Sequence, residues 1–174
     1  MKRFLATLII LVLATLTTNA QNNTFGLSGG YLGAYARVTE DSGSASTSDS
    51  GFYLGLYYNL GLNEKIFFMP ALDYGAINGN GFGFLSLRAG YRMTDNFNIQ
   101  AGPQISYLLQ DTTPTDINKA GIDLGLGLGY EITNHFNLHA RYSFELSNRV
   151  KEFNQNSDLK ARFNWLFIGL GYSF

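Results

Sequence analysis

Ala120–Ile132 reads AGIDLGLGLGYEI, and its two faces have nothing in common. In an extended chain Ile122, Leu124, Leu126, Leu128, Tyr130 and Ile132 fall on one side, with Asp123, Gly125, Gly127, Gly129 and Glu131 on the other. Unbroken period-two alternation of this length is the pattern of a strand between two different environments. One environment takes bulky hydrocarbon. The other has little room and accepts a carboxylate near each end.

Neighbouring segments repeat the pattern. Phe136–Leu146 sets Phe136, Leu138, Ala140, Tyr142, Phe144 and Leu146 against Asn137, His139, Arg141, Ser143 and Glu145. Phe97–Leu109 sets Phe97, Ile99, Ala101, Ile105, Tyr107 and Leu109 against Asn98, Gln100, Gln104 and Ser106. Gly90–Ile99 (GYRMTDNFNI) also echoes Gly129–Leu138 (GYEITNHFNL), close to the spacing of one hairpin with its connections. Tyr before each turn and Phe after it place aromatics at one boundary of an apolar slab.

Eight strands are predicted: Phe25–Val38, Phe52–Leu62, Ile66–Ile77, Phe82–Met93, Phe97–Leu109, Ala120–Ile132, Phe136–Leu146 and Leu159–Phe174. Most are long enough to cross a bilayer, since about 9 to 11 tilted residues suffice. Tight turns at Asn63–Lys65, Thr94–Asn96 and Thr133–His135 alternate with Thr39–Gly51, Asn78–Gly81, Gln110–Lys119 and Ser147–Asp158. Asn78-Gly79 is a strong hairpin signal. The expected fold is all-β: an eight-stranded, antiparallel, up-and-down transmembrane β-barrel with tight turns in the periplasm and the other connections outside. Pro70 and Pro103 lie within strands and lack a ladder donor, so bulges or local edges are expected there.

Alternation does not say which face is inside, and a soluble barrel of the lipocalin kind would turn the apolar face inward. Eight strands, however, leave an interior just wide enough for side chains to fill. The Leu, Ile, Phe and Tyr faces would overfill it, whereas the Gly, Ala, Ser and Asn faces fit, so the bulky faces are assigned to lipid. The lumen then receives Asp73, Arg88, Arg92, Asp123, Glu131, Arg141 and Glu145. Charges of both signs in a narrow, poorly hydrated space must pair, giving a plug of ion pairs and hydrogen bonds; a gated ion path or a titrating site is the alternative.

Composition agrees. The 174 residues include 20 Gly, 11 Tyr and 14 Phe, with only 14% charged residues and no cysteine. Glycine relieves crowding in curved sheets, and aromatics suit membrane girdles. Lys2 and Arg3 followed by apolar Phe4–Leu16 and small Ala20 form a secretory signal peptide over residues 1–20, too short an apolar run for a membrane anchor. The barrel domain is then 21–174. Its net charge is weakly acidic with no basic cluster, which argues against nucleic acid. At the other end Leu170, Tyr172 and Phe174 share one face of the last strand, and this ending resembles the signal read by bacterial barrel-assembly machinery.

Candidate chemistry is sparse. His135 and His139 lie about 13 Å apart on a strand, and no third ligand accompanies them, so no metal site is expected. His139 shares a face with Ser143 and Glu145, but same-face neighbours about 7 Å apart are too distant for a preset relay. Gly125–Gly129 has period two and opens no helix, so it is no nucleotide fingerprint. No catalytic residue and no cofactor are assigned. The Ser-rich Ser42–Ser50 is expected to be an exposed loop.

The run Ala101–Leu109 (AGPQISYLL) and the series Asp123, Gly125, Gly127, Gly129, Tyr130, Asn137, Leu138, Arg141, Tyr142 and Leu146 resemble the small outer-membrane β-barrel family common in Bacteroidetes, labelled porin-family or PorT-like. The resemblance implies a barrel and an outer-membrane location, and it assigns no catalytic residue. The expected function is a non-enzymatic, monomeric barrel with a filled lumen, surrounded by outer-membrane lipid. It would serve structure or surface interaction with an extracellular ligand through its loops. A narrow channel for small solutes and a lipid-modifying enzyme are the alternatives.

Overall fold

Side chains alternating between bulky and small or polar let one sheet satisfy lipid outside and a narrow axis inside, provided it closes. It does so with eight strands, in a computed structural model that describes residues 23–40, 43–110, 117–150 and 160–174. They are β1 (Asn23–Glu40), β2 (Gly43–Gly61), β3 (Ile66–Ile77), β4 (Asn80–Arg92), β5 (Phe97–Leu108), β6 (Ala120–Glu131), β7 (Phe136–Glu145) and β8 (Lys160–Ser173). Each pairs antiparallel with its neighbour in sequence, and β1 pairs with β8 to close the barrel. The expected leader, residues 1–20, lies outside the described residues.

Paired residues followed once around the wall run Asn23, Leu60, Phe68, Ala89, Ala101, Leu126, Tyr142, Leu166 and back to β1 at Gly33. Returning at Gly33 rather than Asn23 is the stagger that tilts the strands, typically by about 35–45°. Local chemistry sets the turns. Asn78 and Gly79 have φ of 49° and 79°, and Ile77 pairs with Asn80, which makes the two-residue mirror-image turn that matches strand twist. At the tight turn after β2, Asn63 Oδ1 accepts Lys65 N at 2.9 Å and Ile66 N at 2.7 Å. At the equivalent places in the sequence echo, Thr94 Oγ1 accepts Phe97 N and Thr133 Oγ1 accepts Phe136 N, both at 3.0 Å. Side-chain oxygens thus hold all three tight turns.

The faces divide as crowding requires. Leu124, Leu126 and Leu128 are 42–51% exposed on the outside, whereas Asp123 between them and the axis is 1% exposed. Outward aromatics gather beside the tight turns: Phe97 pairs with Tyr130, Phe136 with Tyr172, and Phe25 stacks on Phe174 with ring centroids 5.9 Å apart.

Three expectations change. The Ser-rich stretch is not a loop: β1 runs to Glu40, β2 starts at Gly43, and their ladder continues to Glu40–Gly43. Polar composition suggested a loop, but backbone pairing with β1 tolerates Ser, Thr and Ala; β1 stays paired with β8 as far as Thr39, while β2 runs past the end of its pairing with β3 at Gly51. Second, neither proline makes a bulge; of the two outcomes expected, the local edge is the one that occurs. Tyr57–Ala71 and Leu60–Phe68 keep one register across Pro70, and Ser86–Gln104 and Ala89–Ala101 keep one across Pro103. Each proline interrupts the ladder on one edge while its opposite edge, Pro70–Leu87 or Pro103–Leu124, stays paired. Third, the interior is not uniformly small and polar. Leu32, Tyr53, Phe84, Trp165 and Phe167 are all at most 1% exposed and form an aromatic plug.

Glycines make room for these rings. A methyl at Gly90 would overlap Phe67, at Gly26 Tyr57, at Gly169 Tyr53 and at Gly75 Leu32. At Gly102 it would meet the carbonyl oxygen of Leu87, beside the interrupted ladder. Gly102→Ala is therefore expected to destabilise the barrel by about 1–3 kcal/mol through overpacking. Gly43→Ala, with open space around it, should stay within about 0.5 kcal/mol. Urea unfolding in lipid vesicles measures both; equal losses would contradict this account.

Candidate functional site: the lumen

The lumen is layered, and each layer follows from which strands face one another. Towards the long connections lies the plug. Trp165 and Phe167 from β8 meet Phe84 from β4 at centroid distances of 4.9 and 5.1 Å, edge to face. Tyr53 from β2 packs against Phe167 at 5.1 Å. Such edge-to-face contacts are the favoured geometry for aromatic pairs.

Beneath the plug sits the inner ionic cluster. Arg141 Nη2 donates to Asp73 Oδ2 at 2.7 Å, and its guanidinium lies 3.9 Å from the centroid of Phe167. Arg88 Nη1 donates to Gln100 Oε1 at 2.9 Å, and Gln100 Nε2 donates on to Asn98 Oδ1 at 2.8 Å. Tyr53 and His139 are hydrogen-bonded through the phenol and Nε2. His139 Nδ1 lies 3.3 Å from Asn137 Oδ1, so both ring nitrogens are engaged. The network continues from Asn137 Nδ2 to Tyr57 Oη at 2.8 Å and from Tyr57 to Ser173 Oγ at 2.9 Å. This relay ties β2, β7 and β8 together across the axis.

The outer ionic cluster stands beside the plug on β5–β7. Arg149 Nε donates to Glu145 Oε1 at 2.5 Å and Nη2 to Ser106 Oγ at 2.6 Å. Gln104 Nε2 donates to Asp123 Oδ2 at 2.9 Å. The other Glu145 oxygen accepts Phe163 N at 2.5 Å, so one buried carboxylate also anchors the start of β8.

The seven charged residues read from the sequence thus fall into three places. Asp73, Arg88 and Arg141 come together in the inner cluster, and Asp123 and Glu145 stand in the outer one. Arg92 and Glu131 sit half-buried at the rim by the tight turns. There Arg92 Nη1 donates to the Glu64 carbonyl at 3.2 Å, and its guanidinium lies 5.0 Å from the Phe67 ring. Both strands end at this rim, where Glu131 also lines the space that Arg88 and Arg141 border. Arg149 was missed because it follows β7 in an aperiodic polar stretch. Its one signal was arithmetic: the strands alone supply Asp73, Asp123, Glu131 and Glu145 against Arg88, Arg92 and Arg141. Leu170, Tyr172 and Phe174 face outward at 38–65% exposure, beside the rim.

A closed eight-stranded barrel with an apolar exterior, aromatic boundaries and buried ion pairs on its axis is an integral membrane barrel of the outer-membrane class. The chain belongs to the family described as the outer membrane protein beta-barrel domain, whose profile matches residues 5–174. The protein is therefore a small barrel of the bacterial outer membrane. Its fold is similar to that of Ail, the attachment invasion locus protein of Yersinia pestis, with TM-score 0.52 and 20% identity over 88% of this chain and 100% of that one. The outer membrane protein AlkL, solved in DMPC bilayers, is similar at TM-score 0.54 and 12% identity, covering 91% of this chain and 93% of AlkL. At these identities the likeness concerns fold alone. No curated protein matches the chain in sequence.

Removing one partner of a buried pair strands the other. Asp73→Asn, which leaves the Arg141 guanidinium buried without its carboxylate, is expected to destabilise the barrel by about 3–5 kcal/mol. Glu131→Gln at the wet rim should change stability by less than about 1 kcal/mol. Urea denaturation followed by the heat-dependent gel shift of the folded barrel compares the two directly.

Proposed function

We propose that this protein is a non-enzymatic, monomeric surface barrel that engages an extracellular ligand through the β1–β2 hairpin rather than passing solutes through its lumen. The observation that carries this reading is the contrast between the two ends of the wall. The axis is occupied by the Trp165, Phe84 and Phe167 plug, each residue at most 1% exposed. Gly43–Ser50, in contrast, is exposed throughout and, among the described residues, pairs with β1 alone, because β3 begins pairing at Gly51. Its other edge has no strand partner among the described residues. The stretch has no Pro or Lys and a single charge, Asp49, so it lacks the devices that normally blunt an edge strand. An extended polypeptide segment is the partner such an edge suits, since main-chain hydrogen bonds supply affinity and small side chains offer no obstruction.

The same reading takes the chain to be of the small porin-family, PorT-like kind found in Bacteroidetes. Residues 1–20 serve export, and the outward Leu170, Tyr172 and Phe174 serve recognition by barrel-assembly machinery. Chemistry is disfavoured by the engagement of His139 with Tyr53 and Asn137, which leaves the ring no free nitrogen for a Ser143–Glu145 relay.

In planar bilayers the native protein is expected to show no steady openings, whereas Trp165→Ala combined with Phe84→Ala should open a conducting path. Regular openings of the native barrel would move the assignment to a channel. For the arm, Thr47→Pro should weaken capture of extended peptides from a displayed library by about tenfold or more while the barrel stays folded. Unchanged capture would exclude the hairpin.

A further inference from the structure

The inner ionic cluster is unbalanced. Two buried guanidiniums, Arg88 at 7% and Arg141 at 4% exposure, share one buried carboxylate, Asp73 at 3%. Arg141 holds that carboxylate in a direct pair. Among the described residues Arg88 forms no salt bridge, and its one hydrogen-bond acceptor is the uncharged Gln100. Arg88 Nε and Arg141 Nε are both buried without acceptors among the described residues. The surplus carboxylate of the outer cluster, Asp123, bonds Gln104 and forms no salt bridge with either. Glu131 lines the same space from the half-buried rim and, among the described residues, forms no salt bridge with either guanidinium. A guanidinium out of water with a neutral partner needs a counter-charge.

Both arginines border a cavity of about 40 Å³, which Gln100, Tyr57, Asn98 and the carboxylates Asp73 and Glu131 also line. A water needs roughly 10–15 Å³ by this measure, so the space holds one small ion with its water and has no room for a bulky oxyanion. Its wall reaches Asn137 and Ser173, on the side of the tight turns. We propose that this cavity binds one small monovalent anion of halide size, held chiefly by Arg88 as the counter-ion the inner cluster lacks. The anion accepts from the unused guanidinium N–H groups and from neighbouring amide and hydroxyl donors. Arg88 sits where the β4–β5 ladder is interrupted, between the Ser86–Gln104 and Ala89–Ala101 pairs.

The test uses the folded barrel in neutral detergent, exchanged into gluconate and titrated with bromide. Crystals soaked in bromide should show one anomalous peak within hydrogen-bond distance of Arg88. The unfolding temperature should rise saturably with bromide and not with sulfate at equal ionic strength. Arg88→Met should lose the peak and weaken bromide binding by about tenfold or more. Should that variant fail to fold, Gln100→Glu decides the matter, since it places a fixed carboxylate where Arg88 Nη1 already donates. It should exclude bromide and melt at the same temperature in bromide and gluconate. Water alone in the cavity of bromide-soaked crystals would overturn the proposal. So would bromide held equally well by Gln100→Glu, or equal stabilisation by sulfate, which would mark a general salt effect.

Discussion

Closure of the sheet at eight strands is the constraint on which the rest depends. It abolishes edges within the wall, which lipid could not solvate, and it fixes an interior only wide enough for side chains. Everything inside must then be complementary across the axis. Bulky groups project from β1, β2, β4 and β8 as Leu32, Tyr53, Phe84, Trp165 and Phe167, and glycines nearby leave the room for them, Gly75 for Leu32 and Gly169 for Tyr53. Glycine here is less a source of flexibility than a socket for a ring or a carboxylate on a neighbouring strand.

The same narrowness governs the charges. No bulk water screens the axis, so each buried ion needs a partner or a dense set of hydrogen bonds. Glu145 is fully served by Arg149, Ser147 and Phe163 N, and Asp73 by Arg141. These bonds link strands distant in sequence: Asp73 on β3 to Arg141 on β7, Tyr53 on β2 to His139 on β7. They are cross-braces as well as neutralisers, and they hold the barrel section at the level where the plug must fit. Arg88 stands out because no such brace reaches it.

Above the plug the wall is uneven. The β3–β4 turn is two residues long, whereas β1 and β2 continue well past it as a paired hairpin. On the reading proposed above, a barrel with a filled axis and a raised hairpin, whose β2 edge has no strand partner among the described residues, presents its chemistry to the outside. The outward aromatic and aliphatic surface merely secures its place in lipid. The division of labour follows from burial: a residue committed to lipid or to the lumen is unavailable to a partner, and Gly43–Ser50 is committed to neither.

Much of this was written in the alternation itself. Ala120–Ile132 alone defines a strand, its two environments and, through the crowding argument, which face meets lipid. The eightfold count and the tight turns follow from repetition of that pattern and from Asn63, Thr94 and Thr133. The plug was illegible because β8 is apolar on both faces: Phe163, Trp165 and Phe167 alternate with Leu166, Ile168 and Leu170, so period two leaves no contrast. The Ser-rich arm was misread because a strand held by backbone pairing needs no apolar side chains. Which arginine meets which carboxylate was equally out of reach, since register around a closed barrel brings together residues some 70 positions apart, as with Asp73 and Arg141. Local pattern fixes which way a side chain faces. Only closure, with its stagger from Asn23 to Gly33, fixes what it meets there.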